Sequence, residues 1–420
     1  MWLKLIFVFC ICVTTIRCED VARYDNYRLY AITPYNEQQV KMLQGIQKNS
    51  DSVKFLSNAI SINKKVSVIV APHKFPDFGK FLIGEQIANE LVTENLQKLI
   101  DEESLHHKRS GESFGWNAYY SLESIHNWLR DTADKYPNVV KLFEVGRSFE
   151  GRTILGAKIS YKSGNPGIFI EGGIHAREWI TPAFTTYLLN TLVSSKNETI
   201  RTIAENYDWY IVPSMNPDGY VYSHTKDRFW RKTRKPYRKY CFGADPNRNW
   251  DFHWNGTGSS PLQCEENYAG PRPFSESETK SYVAYLNSLK GKINAFFGFH
   301  SYYQSILIPY GYTYLLVPNY SELYNIADKG AKAISVRYGT EYTVGNVYDI
   351  VDPASGTSLD YIYGVLNVTL AYTFELRPYH GHSNGFELPP DQIIPTSLET
   401  IDGLIAMLSR AKQLGYFDSK

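Results

Sequence analysis

The sequence predicts an α/β fold: a sheet with helices on both faces, preceded by a smaller α/β unit. Three observations carry that reading. From about residue 110 to 420, short apolar runs alternate with longer helical stretches, the pattern of a layered sheet. Polar groups of the ligand type gather directly after those apolar runs, and ligands of open α/β sheets bind at the carboxyl ends of the strands. A shorter alternation comes first, set off by the basic, then small and polar stretch His106-His107-Lys108-Arg109-Ser110-Gly111.

Taken in order, Met1 to Val13 has a basic start at Lys4 and then an uncharged apolar run. The run is too short to cross a bilayer and reads as a secretory signal, cut near Cys18. No other uncharged run approaches the ~20 residues of a membrane span, so a released, secreted chain with no membrane association is expected. Residues 19–109 form the small unit: strands Tyr27–Ile32 and Val66–Val70, a helix Asn36–Lys48, and an amphipathic helix Gln86–Glu103 with Ile87, Leu91, Leu96, Leu99 and Ile100 on helical spacing. The stretch after it reads as an exposed linker open to trypsin-like cutting at Arg109; the plainer reading is a helix end carrying cations near its C-terminus. In residues 110–420 the strands are Ile168–Ile170, Trp209–Val212, Ile293–Phe299, Ser305–Ile308 and Thr369–Phe374, with helices Pro182–Val193, Glu276–Leu289 and Ser321–Tyr338 between them.

Composition excludes some classes. Lys+Arg against Asp+Glu is 44 to 43, so no nucleic-acid partner that relies on bulk positive charge is expected. With 43% apolar residues, wholesale disorder is excluded. Of five cysteines, Cys10, Cys12 and Cys18 belong to the signal, leaving Cys241 and Cys264. In an oxidising compartment the two pair, closing a loop worth about 3 kcal/mol on chain-entropy grounds; the alternative is two buried thiols. The sequons at Asn197, Asn255, Asn319 and Asn367 agree with export as a glycoprotein.

Four groups could carry chemistry. His175 and Glu178 follow two glycines at a strand-to-helix turn, and His300 ends another apolar strand; two histidines and a carboxylate with an open fourth position are what a catalytic zinc needs. Glu375 ends the run Val368–Phe374, where burial would raise its pKa and suit it as a general base; an ion pair with Arg377 is the plainer reading. Eight Lys or Arg fall between Lys226 and Lys239. They read as a polyanion patch or, with Phe229, Trp230 and Tyr237 interleaved, as arginines that capture a substrate carboxylate. Gly111-Glu112-Ser113-Phe114-Gly115 matches a nucleophile elbow but follows a charged linker where that motif needs a buried strand, which dismisses a serine hydrolase.

Six ordered segments, His175–Trp179, Asn216–Tyr220, Phe229–Arg234, Asp245–Trp250, His300–Tyr302 and Thr373–Arg377, resemble the zinc metallocarboxypeptidases of the pancreatic A/B type, across nearly the whole chain. The resemblance implies a mixed, eight-stranded twisted sheet and three parts: signal 1–18, activation propeptide 19–109 and catalytic domain 110–420. It implies one zinc ion per chain on His175, Glu178 and His300, with Asp245 behind His175. Glu375 would act as the base on water at the metal, and Arg231 would stabilise the oxyanion. Arg248 and Asn247 would hold the terminal carboxylate, and Arg177, Ser301 and Tyr302 would contact residues further up the substrate. Cys241–Cys264 would be the family's disulfide. The expected partners are peptide and protein C-termini and an activating trypsin-like protease, and a monomer is expected.

Specificity follows from Leu359, which takes the floor of the terminal side-chain pocket in this resemblance; Val347, Gly311 and Ala354 nearby are apolar or small. A buried cation would have no partner there, so apolar or aromatic terminal residues (A-type) are expected over Arg or Lys (B-type). Asp360 follows at once, and a shift of one residue would reverse this. One departure stands out: Asp352 occupies the place of a loop tyrosine that contacts substrate in the family, and Tyr348 is its nearest stand-in. The rival reading is therefore a secreted, zinc-containing peptide-binding protein with little turnover.

Overall fold

The computed structural model of the protein describes residues 21–56, 60–109, 114–378 and 385–418. The expected signal peptide (1–18) and residues Gly111 to Ser113 of the dismissed elbow motif lie outside them. The first unit is a four-stranded antiparallel sheet, β1 (Arg28–Thr33), β2 (Val53–Phe55), β3 (Val66–Val70) and β4 (Ala88–Thr93), in the order β2-β3-β1-β4, with helices α1 (Glu37–Asn49), α2 (Phe75–Gly84) and α3 (Leu96–Arg109). Asn36 caps α1, its side chain accepting from the Gln39 N–H.

All five residues of β3 are buried, and the alternation of side chains across a strand explains why. Val66, Val68 and Val70 face the unit's own core with Tyr30, Ile32, Leu43 and Phe78. Ile69 points the other way, into a cluster with Leu29, Leu56 and Leu96 that Phe229, Tyr302 and Phe386 of the larger unit complete. The second face of the small sheet is thus docked on the rest of the chain.

Two expectations need correction here. The helix expected over Gln86–Glu103 is a strand, β4, followed by a helix that starts at Leu96. Residues Ala88–Thr93 sit on a mostly exposed sheet edge, where no buried alternation marks a strand. The stretch from His106 to Arg109, read as linker, continues α3 to its end; lysine and arginine are good helix formers and are favoured at a C-terminus.

The larger unit is built on eight strands: β5 (Val140–Arg147), β6 (Thr153–Ile159), β7 (Gly167–Glu171), β8 (Asp208–Val212), β11 (Ile293–Ser301), β12 (Ser305–Ile308), β13 (Thr343–Asn346) and β14 (Leu370–Leu376), with β9 (Pro236–Arg238) and β10 (Cys241–Phe242) forming a separate small hairpin. The order is β13-β12-β14-β11-β7-β8-β6-β5. The central strands β14, β11, β7 and β8 are parallel, and pairing turns antiparallel at β12/β14 and at β8/β6/β5, so the sheet is mixed. Helices cover both faces: α4 (Leu122–Lys135), α5 (Ile180–Ser194), α6 (Glu198–Asn206), α7 (Pro217–Thr225), α8 (Ser277–Ser288), α9 (Tyr320–Tyr338), α10 (Val347–Ile350), α11 (Ser358–Gly364) and α12 (Ile393–Gln413). The parallel strands read as unbroken apolar runs because both faces are covered: β7 and β8 are buried along their whole length. Cys241 and Cys264 form a disulfide. The run Lys226–Lys239 is no polyanion patch: Arg228, Arg231, Lys232 and Arg234 are buried, and the Arg234 guanidinium lies 3.5 Å from the centre of the Tyr222 ring.

Candidate metal centre and active site

Parallel pairing brings the reactive groups together. The register of β11 with β14 sets His300 opposite Glu375, so two residues 75 positions apart share one point on the carboxyl edge of the sheet. Beside them β7 ends at Glu171, and the chain turns through Gly172 and Gly173 into His175 and Glu178 before α5. Gly173 has φ of 63°, and a Cβ there would lie 2.9 Å from the Pro213 carbonyl oxygen and the Ser214 Cα. Only glycine lets the turn close against the loop after β8.

His175, Glu178 and His300 are buried, and their ligand atoms lie within 4.8 Å of one another. The two Nδ1 atoms are 3.2 Å apart; Glu178 reaches His175 Nδ1 at 2.7 Å and His300 Nδ1 at 3.3 Å. Two Zn–N bonds of about 2.0–2.1 Å at a tetrahedral angle place the nitrogens roughly 3.3 Å apart, so the cradle has the size of that ion. Glu178 Oε2 is buried with no hydrogen-bond donor, as an anionic ligand atom should be. His175 turns its other nitrogen, Nε2, to Asp245 Oδ1 at 3.1 Å, while Arg231 donates to Asp245 Oδ2 through Nε (3.0 Å) and Nη2 (2.8 Å). Burial opposes the charge on Asp245, but Arg231 and His175 outweigh it and hold the carboxyl well below its usual range. Asp245 therefore stays an acceptor, which fixes the His175 ring and directs Nδ1 at the metal position.

Glu375 lines the same cavity. Burial raises its carboxyl to about 7, with Glu178 pushing the same way and His300, Arg231 and Arg248 pulling back. Arg248 donates to the carbonyls of Gly258 (3.0 Å) and Asn247 (2.7 Å), and the Asn247 side-chain oxygen accepts from the Ser358 N–H at 2.9 Å. Both side chains are held rigidly at the cavity wall.

The neighbours Leu359 and Asp360 separate cleanly. Leu359 lines the cavity with Val347 and Ala354. Asp360 turns away, accepting from the backbone N–H groups of Gly311 (3.0 Å) and Tyr312 (3.2 Å), and burial raises it to about 7. Tyr348, the nearest stand-in for the loop tyrosine, packs edge-on against Tyr314 in the uncut chain. Asp352 itself lines the cavity.

The first unit forms part of the cavity wall. Leu56, Lys64 and Val66 line it, leaving a volume of about 170 Å³, below the roughly 300 Å³ at which ligand pockets begin. Arg177 donates to the Leu56 carbonyl (3.0 Å) and to Glu266 (3.0 Å), and the Tyr302 hydroxyl donates to Ser67 Oγ (2.9 Å). Ser301 lies in the same wall. Further out, Arg228 grips Glu103 of α3 through two hydrogen bonds, 2.7 and 3.0 Å.

Three further groups stand in or beside the cavity. Glu171, raised to about 7 by burial and held by the Ser358 hydroxyl at 3.2 Å, ends β7 behind His300; an acid ending a buried apolar run was its signal, as for Glu375. Tyr303 stands in the wall near Asp352 and Glu375, but in a chain of 33 tyrosines one more carries no signal. Glu266, which partners Arg177, is opposed by burial, yet Lys54, Arg177 and Lys232 hold it at about 2.

A buried two-histidine, one-carboxylate cradle at a sheet edge, beside a buried acid and under a docked first unit, defines the class: a metal-dependent hydrolase made with a covering segment. Comparison with known proteins narrows it. Residues 125–403 match the family model for zinc carboxypeptidase, and residues 30–103 match the model for the carboxypeptidase activation peptide. Zinc carboxypeptidase A 1 of Anopheles gambiae is 48% identical over 97% of this chain and 94% of its own length. Carboxypeptidase B of Astacus astacus is 41% identical over 69% of this chain and 95% of its own. The crystal structure of the carboxypeptidase A from Helicoverpa armigera aligns over 93% of this chain and 98% of that one, with a TM-score of 0.82 and 28% identity. The chain belongs to the zinc carboxypeptidase family, with an activation peptide at its N-terminal side, and zinc is the metal of that family.

Proposed function

We propose that the chain is a secreted zymogen whose mature part removes single C-terminal residues, apolar or aromatic by preference, from peptides and proteins. The observation that carries this reading is the convergence on one cavity of His175, Glu178 and His300 with Glu375, Arg231, Asn247 and Arg248. His175, Glu178 and His300 hold the zinc. When bound, the ion would polarise the scissile carbonyl and acidify water in the cleft. Glu375 is the group placed to accept a proton there and to return it to the departing amine nitrogen. Arg231, fixed on Asp245 by two of its nitrogens, presents positive charge where the carbonyl oxygen becomes negative. Arg248 and the Asn247 amide bind the terminal carboxylate, which restricts cutting to chain ends. Leu359, Val347 and Ala354 surround the terminal side chain with apolar surface.

Residues 1–18 serve as the signal, 19–109 as the prosegment and 110–420 as the mature monomer. A trypsin-like protease cuts after Arg109; because α3 runs to that residue, its last turn must unwind for the backbone to enter the protease. Asp352 in the cavity wall favours the rival reading, a zinc-holding peptide binder with little turnover. One experiment separates the two. The purified chain is treated with trypsin and given blocked dipeptides ending in Phe, Leu, Arg or Lys, with and without a strong chelator. Chelator-sensitive release of Phe and Leu after cutting, and little before, is expected. Tight binding without release supports the rival, and chelator-resistant release refutes the zinc mechanism.

A further inference from the structure

The prosegment places a cation in the cleft. Lys64 donates through Nζ to the carbonyl oxygens of Ile350 (3.1 Å) and Val351 (2.8 Å). Asp352 follows in the chain; burial raises its carboxyl to about 6, while the charges of Lys64 and Arg248 and a hydrogen bond from Ser61 pull it back. Lys64, Val351 and Asp352 line the same cavity as the three metal ligands. An ammonium is therefore coordinated by two carbonyl oxygens next to a carboxylate. The two carbonyls that accept from Lys64 and the nearby Asp352 carboxylate belong to the mature part, and the ammonium belongs to the part that leaves. Once it leaves, three oxygens face the cleft. The neighbouring Arg248 donates to the Gly258 and Asn247 carbonyls, and its charge also draws the Asp352 carboxyl down.

We propose that Ile350 O, Val351 O and the Asp352 carboxylate form a cation subsite of the mature cleft, filled by Lys64 in the uncut chain and by a basic side chain of the substrate after activation. The proposal rests on the exopeptidase reading above and adds a charge preference to it. An ammonium or guanidinium finds acceptors on three sides, whereas an acidic side chain meets only oxygen. The substrate can supply the cation from either of two positions. Leu359, Val347 and Ala354 give the terminal side chain apolar walls, which points to the residue before it. A terminal Lys or Arg would have to run its aliphatic stem along those walls to bring its charge to the same oxygens.

The test uses the trypsin-activated enzyme, freed of trypsin because trypsin itself cuts after Arg, and three blocked dipeptides: Ala-Phe, Arg-Phe and Ala-Arg. Arg-Phe is expected to exceed Ala-Phe in kcat/KM by about tenfold, the scale of a hydrogen-bonded charge. Asp352→Asn should collapse that ratio, and added salt should shrink it in the unsubstituted enzyme. If Ala-Arg is the substrate whose advantage depends on Asp352, the subsite stands and is fed by the terminal residue. Equal rates for basic and neutral substrates, or ratios that Asp352→Asn and salt both leave unchanged, overturn it. Ala-Phe turnover by the unsubstituted enzyme separates the two levels: its absence refutes the exopeptidase reading, while its presence without charge discrimination refutes the subsite alone. Should Asp352→Asn fail to fold, the salt dependence still decides.

Discussion

Glu103→Ala should wake the uncut chain. Glu103 places both carboxylate oxygens on Arg228, at 2.7 and 3.0 Å, and both side chains are almost fully buried. Breaking a buried pair by removing one partner costs about 3–5 kcal/mol. The lower end applies here, for two reasons. Arg228 keeps the carbonyls of Arg177 and Phe386, each at 2.8 Å, and lies 3.7 Å from the centre of the Trp179 ring. Glu387, raised to about 8 by burial and by the charge of Glu103, is drawn down by Arg228 and can ionise once Glu103 is gone. About 3 kcal/mol is roughly a 150-fold increase in the undocked fraction of the prosegment. The assay is blocked-dipeptide hydrolysis by the uncut chain, with the rate of tryptic activation as a second measure. The mature part lacks residue 103, so the trypsin-cut variant must match the parent, an internal control for misfolding. An uncut variant as silent as the parent, and activated no faster, would refute the claim that this pair holds the prosegment down.

Three further outcomes are expected. Glu375→Gln should lower kcat/KM by about 10²–10⁴ with zinc content by mass spectrometry unchanged. The ionised carboxylate is the active form, so the parent's activity should fall with acidity; a bound dication brings the half-point below the value of about 7 that burial sets in the metal-free site, and an acid limb that survives in Glu375→Gln would belong to another group. Leu359→Asp should cost terminal Phe about 10–100-fold, the equivalent of the roughly 1.5–3 kcal/mol that burying the ring provides, and gain for terminal Arg; unchanged preferences would move the pocket floor elsewhere. Asp245→Asn should weaken zinc binding by about 10–100-fold in a chelator competition, and full affinity would show that Arg231 and the backbone hold His175 without it.

The reactive groups were legible because each ends a run that could only be a buried strand. His300 and Glu375 each stand one residue before the end of their strands, β11 and β14, and the register that makes them neighbours follows once the strands are parallel. Glu171 had the same signal and was passed over for the glycines after it. Other features left no local trace. The antiparallel strands β5 and β6 mix buried and half-exposed positions, so neither reads as an unbroken apolar run. Leu91 fits a helical spacing and a strand equally well; in β4 it is exposed at a sheet edge, and tertiary pairing decided its state. The Glu103–Arg228 pair spans 125 positions, and nothing in either neighbourhood announces the other. The resemblance puts Leu359 at the pocket floor, but a shift of one residue would put Asp360 there. The Gly311 and Tyr312 N–H groups decide that question by taking up the Asp360 carboxylate.

The way the cleft is silenced follows from which groups the prosegment touches. Its contacts land on Arg177, Tyr302 and the carbonyls before Asp352, all groups at the wall of the cavity. Among the described residues, the hydrogen bonds and ion pairs of the metal ligands go to the mature part: His175 meets Asp245, and His300 meets Glu178 and His175. Their positions come from the β11–β14 register and the Gly173 turn, neither of which involves residues before 110. The uncut chain therefore already has its catalytic geometry and lacks only access to it. Activation then requires release of a docked sheet face, the Glu103–Arg228 pair and the hydrogen bonds to the cavity rim, with no rebuilding of the centre. It follows that the uncut chain should bind zinc as tightly as the mature one. A zymogen that takes up metal only after cutting would mean that the prosegment distorts the ligands, contrary to the contacts seen here.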